Sequence, residues 1–335
     1  MIVLSNCLTG TPDEGALKVA NSLILRLKQA YPDVKLVTYG RNSPLSDRHF
    51  TLNKLFLNPK FLYYLRSSGE DVLYIPFPTR LLPMALRIWI LSLFVKRLRV
   101  LSIMQPSANK LGGMLIRASK AEITTLSRDT WQFYQSISGQ RTEYIQTGVD
   151  TTQFFPVSEA EKIRLRKKYG FAPDAKIVLH VGHLNEGRNI RKLMDISPEY
   201  QVILVVSTYT ANERNAELRK ELESHPNIRV LDQYIEKIQE IYQLSSVYFF
   251  PVEQSGHCID IPLSVLEAAA CNIPVVATPY GELEQLVGQP GFWFTDHFET
   301  GVVNTLIREA IGAQVDIRQS VIHYDWNFAV VKLHR

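Results

Sequence analysis

The sequence predicts an α/β protein made of two doubly wound, Rossmann-like domains, each built on a parallel sheet. Its 335 residues exceed what one hydrophobic core usually supports. Short apolar runs alternate with amphipathic stretches along both halves, as expected for βα units. The charge also divides, because residues 1–156 hold 19 basic and 10 acidic residues (+9) whereas the remainder holds 18 and 23 (−5).

Six short apolar runs in the first half are predicted to be strands. They span residues 2–4, 34–38, 72–75, 100–103, 123–126 and 143–145. Between the first two, residues 17–30 carry apolar side chains at positions 17, 20, 23, 24 and 27, the spacing of one helix face.

The second half repeats the pattern with five predicted strands, at residues 177–181, 202–206, 228–231, 247–250 and 275–277. Helical stretches are expected after Asn189, Ala211, Ile235, Ser264 and Glu282. The join between the domains is expected between residues 151 and 175. Because ligands bind at the carboxyl ends of parallel strands, the residues that follow each strand are the candidates for a site.

The cysteines, the first ten residues and the acidic pattern indicate the cellular compartment and whether a metal ion is expected. Three cysteines without a CxxC spacing favour neither a disulfide framework nor a structural zinc site. The stretch MIVLSNCLTG has no basic start and is interpreted as a first strand rather than a signal peptide. The absence of an Asp-x-Asp pair argues against a divalent metal on a diphosphate. A cytoplasmic protein that requires no metal is expected.

The segment 249–287, FFPVEQSGHCIDIPLSVLEAAACNIPVVATPYGELEQLV, holds the most informative pattern. A buried strand is followed by a polar loop, and a helix is predicted to begin at Pro262–Leu263. Free amides of residues 263–265 would combine with the helix dipole to form an anion site. Glu267 lies one turn further and is placed to accept hydrogen bonds from a ribose diol. The alternative is a solvated glutamate in a first helical turn.

A second phosphate-directed element is predicted in HVGHLNEGRNIRKL, residues 180–193. A strand, a turn at Gly182 and a basic residue at a helix start follow one another. Arg188 can bind a phosphate and stabilise a departing diphosphate, and His183 can donate to the same group. The alternatives are a surface arginine and a structural histidine.

Four stretches in this order resemble the retaining glycosyltransferases of family 4, which have the two-domain GT-B fold. The segment 249–287 is similar to their donor-binding signature, and HVGHLNEGRN to their phosphate loop. TTLSRDT (124–130) with YIQTGVDTTQFFP (144–156) resembles the turn and linker between their domains. YDWNFAVVKLHR at the C-terminus resembles their final helix, which returns to the first domain. The resemblance implies metal-independent transfer of a sugar from a nucleotide-diphosphate sugar, with retention of anomeric configuration.

The resemblance also implies roles for individual residues. Glu267 corresponds to the second glutamate of the family's pair, on the nucleotide ribose, and Arg188 to the lysine of the phosphate loop. The first glutamate of the pair is replaced by Ile259, with Asp260 or Glu253 as the possible stand-in.

Two further positions depart from the family in the first half. The usual Gly-Gly of the first loop is Glu14-Gly15, and Gln105-Pro106 lies where a histidine is usual. Gly15 would let the backbone approach the donor diphosphate, whereas the alternative is a tight turn before a helix.

The segment 81–100, LLPMALRIWILSLFVKRLRV, suggests contact with a membrane surface. Its apolar residues and its cations Arg87, Lys96, Arg97 and Arg99 suit an interfacial helix beside anionic headgroups. A buried helix would be equally apolar. Together with the basic first half, the segment favours a lipid-linked or otherwise anionic acceptor, or a polysaccharide precursor. Nucleic acid is not expected, because no binding motif is present.

The sequence therefore predicts a hexosyltransferase with an acceptor-side domain (1–152), a donor-binding domain (153–315) and a C-terminal helix (316–335). The alternatives are an epimerase or phosphorylase of the same architecture and a catalytically degenerate protein that binds sugar nucleotides or acts as a scaffold. The predicted catalytic residues are Arg188, His183 and Asp260. The predicted donor-binding residues are Gly15, Gly182, Asn189, Leu263, Ser264 and Glu267.

Overall fold

A computed structural model describes residues 1–6, 15–40, 42–76, 80–138, 141–146, 148–206, 216–254 and 256–335 of the chain. The chain divides into two compact units. The first consists of Met1–Thr147 with Trp326–Arg335, and the second of Gly148–Asp325. The division thus lies slightly before residue 152, where the sequence suggested it, and residues 316–325 belong to the second unit.

The first unit contains a seven-stranded parallel sheet with the order β3-β2-β1-β4-β5-β6-β7. The six predicted strands are present within one or two residues of their expected bounds. The additional strand, β3, is short and polar and pairs with β2. The strands are β1 (Ile2–Ser5), β2 (Lys35–Tyr39), β3 (Arg48–Phe50), β4 (Val72–Ile75), β5 (Leu98–Ser102), β6 (Glu122–Thr125) and β7 (Thr142–Tyr144).

The described residues of this unit form six helices, and side-chain caps explain where two of them begin. Asn58 accepts hydrogen bonds from the amides of Lys60 and Phe61 at 3.0 and 3.2 Å, and Asn109 accepts one from Gly112 at 2.8 Å. The helices are α1 (Gly15–Ala30), α2 (Pro59–Ser68), α3 (Leu81–Ser92), α4 (Lys110–Ser119), α5 (Arg128–Ser138) and, from the C-terminus, α11 (Trp326–His334).

The segment 81–100 is not one interfacial helix, so this prediction is wrong. It forms α3, which buries six of its apolar residues, and then enters β5. Arg99 lies inside β5 and is 6% exposed, and Arg97 pairs with Glu122 at 2.9 Å. Of the four cations, only Lys96 is exposed. Among the described residues, no helix combines the length and apolar character needed to cross a bilayer.

The two arginines bind the end of the C-terminal helix instead. Arg99 Nη1 donates to the carbonyl of Leu333 at 2.7 Å, and Arg97 Nη1 donates to that of Arg335 at 3.0 Å. These carbonyls lack partners within a helix, and a cation satisfies them well. The ring of His334 in α11 stacks on the ring of Tyr31, the residue that follows α1, with centroids 3.6 Å apart.

We expect Arg99→Ala to lower the free energy of unfolding by about 1–3 kcal/mol, because it leaves a buried carbonyl without its donor. Urea denaturation followed by circular dichroism measures the change. Lys96→Ala is the matched control, since it removes an exposed cation from the same segment and should change stability by less than about 0.5 kcal/mol. Equal stability of the two variants would contradict the conclusion that Arg99 stabilises the end of the C-terminal helix.

The second unit contains a six-stranded parallel sheet with the order β10-β9-β8-β11-β12-β13. The five predicted strands are present, and the last strand was not predicted. The strands are β8 (Ile177–Gly182), β9 (Gln201–Val206), β10 (Ile228–Leu231), β11 (Val247–Phe250), β12 (Val275–Ala277) and β13 (Phe292–Phe294). The chain order reverses between β8 and β11, so their carboxyl ends form the topological switch point where α/β sheets bind ligands.

In the second unit, the part of the chain that the structure describes forms the helices α6 (Glu159–Lys168), α7 (Ala216–Glu223), α8 (Ile238–Leu244), α9 (Leu263–Ala270) and α10 (Thr300–Gly312). The helices expected after Ala211, Ile235 and near Ser264 correspond to α7, α8 and α9. The stretches expected after Asn189 and Glu282 are 3-10 helices, at Ile190–Leu193 and Gly281–Leu286.

Candidate functional site

Arg188 is held at the carboxyl end of β8 by a short turn. β8 ends at Gly182, and Asn185 caps the 3-10 helix Glu186–Arg188 by accepting a hydrogen bond from Gly187 N at 2.8 Å. Arg188 is 7% exposed, and its Nε donates to the carbonyl of His257 at 3.0 Å. It is therefore not a surface arginine but a cation fixed at the switch point.

Two glycines make room for this arrangement. A Cβ on Gly182 would collide with Arg188 Nη1 and would lie 3.1 Å from His180 Nε2. A Cβ on Gly187 would collide with the ring of His257. The predicted role of Gly182 at the strand end thus has a steric basis, because the guanidinium occupies the space of a side chain. His183, the next residue, is half-buried.

His180 was not singled out by the sequence, yet it lies directly behind this group. It is fully buried in β8, and its Nδ1 is 2.8 Å from the carbonyl of Phe249. Burial lowers its pKa to about 4, so the ring is neutral at physiological pH and Nδ1–H donates to Phe249. Among the described residues, Nε2 has no hydrogen-bond partner.

The loop between β11 and α9 is held by contacts to its backbone from several elements. The hydroxyl of Tyr280 donates to the carbonyl of Cys258 at 2.7 Å, and Glu282 N donates to that of Asp260 at 2.8 Å. Arg188 supplies a further contact, at His257. Burial raises the pKa of the Cys258 thiol, which is therefore protonated beside Arg188. Asp260 is half-buried in this loop.

The helix α9 begins at Leu263, with Pro262 before it, as predicted. Within the part of the chain that the structure describes, the amides of Leu263 and Ser264 have no hydrogen-bond partner. The prediction for the third amide is wrong, because Val265 N donates to the carbonyl of Pro262 at 3.1 Å. Two amides at the start of a helix remain as an anion site.

Tyr248 connects the start of α9 to the end of β8, a link that was not predicted from the sequence. Its buried hydroxyl donates to the carbonyl of Val181 at 3.2 Å and accepts from Val181 N at 3.3 Å. It also pairs with the hydroxyl of Ser264, which therefore faces Tyr248. The predicted donor-binding role of Ser264 would rest on its amide.

Glu267 is buried, with 2% of its surface exposed, so the alternative of a solvated glutamate is wrong. The hydroxyl of Tyr242 donates to Glu267 Oε2 at 2.8 Å. A buried carboxylate needs such donors, because transfer of an unpaired charge from water is costly. The structure thus places a buried carboxyl group, with a hydroxyl donor, one turn inside α9.

Asn189 and Glu253 pair with each other. Asn189 has a left-handed backbone with φ of 56°, and its Nδ2 donates to Glu253 Oε2 at 3.0 Å. Each of these candidates therefore has a partner within the protein.

Gly15 is the first residue of α1 in the first unit. The loop that precedes it, residues 7–14 with Cys7 and Glu14, lies outside the described residues. Among the described side chains, no group of three or more His, Cys, Asp or Glu residues could hold a metal ion. Metal independence stays a prediction.

Comparison with known proteins shows which family part of the chain resembles. Residues 175–308 match the family described as glycosyl transferases group 1. The match covers less than half of the chain and supports a relation to group 1 glycosyltransferases. This part of the chain contains the Arg188 turn, the β11–α9 loop and Glu267, so the candidate site lies within the matched range.

Two curated relatives match about half of the chain. The putative glycosyltransferase EpsD of Bacillus subtilis is 28% identical over 163 residues, which cover 46% of this chain and 42% of EpsD. The GDP-mannose-dependent monoacylated alpha-(1-6)-phosphatidylinositol monomannoside mannosyltransferase of Corynebacterium glutamicum is 24% identical over 180 residues, which cover 49% of this chain and 46% of the relative. The chain thus spans less than half the length of these relatives in the matches.

A solved structure matches nearly the whole chain. Anabaena HepE, in complex with UDP and glucose, has a TM-score of 0.67 and 16% identity, covering 99% of this chain and 94% of HepE. The likeness confirms the predicted α/β class with two Rossmann-like units of the GT-B fold.

Proposed function

We propose that this protein is a glycosyltransferase that moves a sugar from a nucleotide-diphosphate sugar to an acceptor hydroxyl. The observation that carries the proposal is the contact of Arg188 with the loop that leads into α9, at the carboxyl ends of β8 and β11. Arg188 supplies a fixed cation, and the start of α9 supplies two free amides. Together these groups suit a diphosphate. The family match over the same residues supports it.

In the transfer step, the acceptor oxygen bonds to the anomeric carbon while the bond from that carbon to the diphosphate breaks. The diphosphate leaves with the bonding electrons and takes up the proton of the acceptor hydroxyl, so no separate base is needed. Arg188 stabilises the charge that develops on the diphosphate, because its guanidinium is already oriented before the reaction. His183 adds a second donor, and Asp260 lies nearest the donor sugar.

The nucleotide ribose is assigned to Glu267, whose carboxylate accepts hydrogen bonds from the diol. Support comes from its burial beside the start of α9 and from the family resemblance of the segment. Gly15, Gly182, Asn189, Leu263 and Ser264 complete the proposed donor-binding set.

Retention of configuration and independence from metals are part of the proposal, and they rest on the resemblance of the motifs. An anionic or lipid-linked acceptor is supported by the basic first half and by the phosphatidylinositol-based acceptor named for the Corynebacterium relative. Contact with the cytoplasmic face of a membrane would involve Trp89, Leu93 and Lys96, which are exposed at the end of α3 and just after it. Arg97 and Arg99 are not available for it.

A second candidate is a degenerate transferase that binds sugar nucleotides without turnover. Ile259 favours it, because an apolar side chain lies where the family has its first glutamate. Binding of a nucleotide diphosphate without consumption of any sugar nucleotide would support this candidate over the enzyme.

A thermal-shift panel of UDP, GDP and ADP tests the donor site. One of them, at about 100 times its Kd, should stabilise the protein by about 2.7 kcal/mol and raise Tm by several degrees. The corresponding nucleoside, which lacks the diphosphate, is the control and should give little shift. If no nucleotide diphosphate raises Tm at millimolar concentration, the proposal fails.

A further inference from the structure

Two tyrosines that the family motifs do not include lie behind the start of α9. Tyr242 of α8 and Tyr248 of β11 are both fully buried, and their rings stack with centroids 6.0 Å apart. Tyr242 also packs against Phe154 in a T-shaped arrangement, with centroids 5.5 Å apart. Packing against these two rings fixes the ring of Tyr242, so the direction of its hydroxyl is set before any ligand binds.

The hydroxyl of Tyr242 points at the carboxylate of Glu267. The distance from Tyr242 Oη to Glu267 Oε2 is 2.8 Å, and both side chains are buried. Burial, and after it the charge of Glu267, raises the pKa of Tyr242 well above its usual value. The hydroxyl therefore keeps its proton and remains a donor throughout the physiological pH range.

The consequence concerns the orientation of the carboxylate. A hydrogen bond to one oxygen fixes the plane of the group and hence the directions of its lone pairs. A diol presents two hydroxyls at a set spacing, so a carboxylate that rotates freely would lose orientational freedom on binding it. A rigid aromatic donor removes that cost in advance.

We infer that Tyr242 is a positioning residue that orients Glu267 for the ribose diol of the donor nucleotide. The inference rests on the proposed function, since it assumes that Glu267 binds the ribose. Its distinctive consequence is selectivity: loss of the Tyr242 hydroxyl should weaken binding only of ligands that carry the diol.

The test compares one nucleotide diphosphate with its 2′,3′-dideoxy analogue by isothermal titration. Tyr242→Phe, which removes only the hydroxyl, should weaken binding of the natural ligand on the order of 10-fold, equivalent to about 1.4 kcal/mol. Binding of the dideoxy analogue should stay within about 2-fold of the unmodified protein. A merely structural role would weaken both ligands equally.

Tyr134→Phe is the matched control. Tyr134 is also fully buried, and its hydroxyl lies 3.0 Å from that of Ser102, but it belongs to the core of the first unit. This variant should bind both ligands as the unmodified protein does. If Tyr242→Phe does not fold, Phe154→Leu serves instead, because it removes the ring packed against Tyr242 and leaves Glu267 itself unchanged. The same selective loss is expected.

Glu267→Ala separates failure of the inference from failure of the proposed ribose contact. If Glu267→Ala still distinguishes the two ligands as the unmodified protein does, Glu267 does not bind the ribose and both ideas fail. If Glu267→Ala loses that discrimination while Tyr242→Phe, or Phe154→Leu in its place, retains it fully, the role of Tyr242 is overturned and the ribose contact stands.

Discussion

Replacement of Arg188 by alanine should lower the turnover of the donor sugar nucleotide by a factor of about 10² to 10³. The side chain is the buried cation at the end of β8, oriented by the carbonyl of His257. Loss of a pre-oriented charge at a leaving diphosphate raises the barrier of the chemical step. Release of nucleotide diphosphate, measured by a coupled assay, gives the rate.

Arg191→Ala is the control for this experiment. Arg191 lies three residues further along the same loop, but its side chain is 42% exposed and pairs with Glu186 and Glu221. Removal of the Arg191 side chain should leave the turnover rate within about 2-fold of that of the unmodified protein. The turnover rate of Arg188→Lys should lie between those of Arg188→Ala and Arg191→Ala, since lysine keeps the charge but loses the planar donor geometry. An Arg188→Ala variant that is folded and as active as Arg191→Ala would remove Arg188 from the mechanism.

The largest effect on stability is expected for Gly281→Ala. Gly281 has a left-handed backbone with φ of +54°, and a Cβ there would collide with the carbonyl oxygen of Asp260 and lie 3.1 Å from its Cα. The variant combines backbone strain with displacement of the β11–α9 loop. We expect the free energy of unfolding to fall by about 3 kcal/mol or more, as measured by chemical denaturation.

Gly69→Ala isolates the contribution of backbone strain. Gly69 follows α2 with φ of +65°, but nothing lies within 4 Å of the position of a Cβ. Its substitution should cost only about 1–2 kcal/mol. Equal destabilisation by the two alanines would show that the contact between Gly281 and Asp260 does not fix the loop.

Much of the fold follows from local pattern, and the exceptions have physical causes. Most of the predicted strands are apolar runs buried on both faces of parallel sheets, which is the strongest signal of this kind. β3 was missed because two of its three residues, Arg48 and His49, are polar and leave no apolar run. β13 is a short edge strand whose last two residues are only half-buried, unlike the buried β12 beside it. The segment 81–100 was wrongly predicted to be an interfacial helix because a helix in a protein core and one at a membrane surface have similar compositions.

The residues of the candidate site also fall into two groups, those that the sequence could reveal and those that it could not. Arg188 and Glu267 could be found because charged residues next to a glycine turn or a helix start carry a local chemical signal. Tyr242, Tyr248 and His180 could not, since each resembles an ordinary core residue of its own element. Their roles come from contacts between distant positions, such as Tyr248 with Val181 and Tyr242 with Glu267. Such pairings depend on the sheet order and on the packing of α8 and α9.

The most direct test of the account is release of nucleotide diphosphate by the unmodified protein from UDP-, GDP- and ADP-sugars. The account predicts release from at least one donor, by transfer to an added acceptor or by slow hydrolysis, and loss of that activity in Arg188→Ala. No release from any donor, under conditions in which a nucleotide diphosphate binds, would contradict assignment of the protein as a glycosyltransferase.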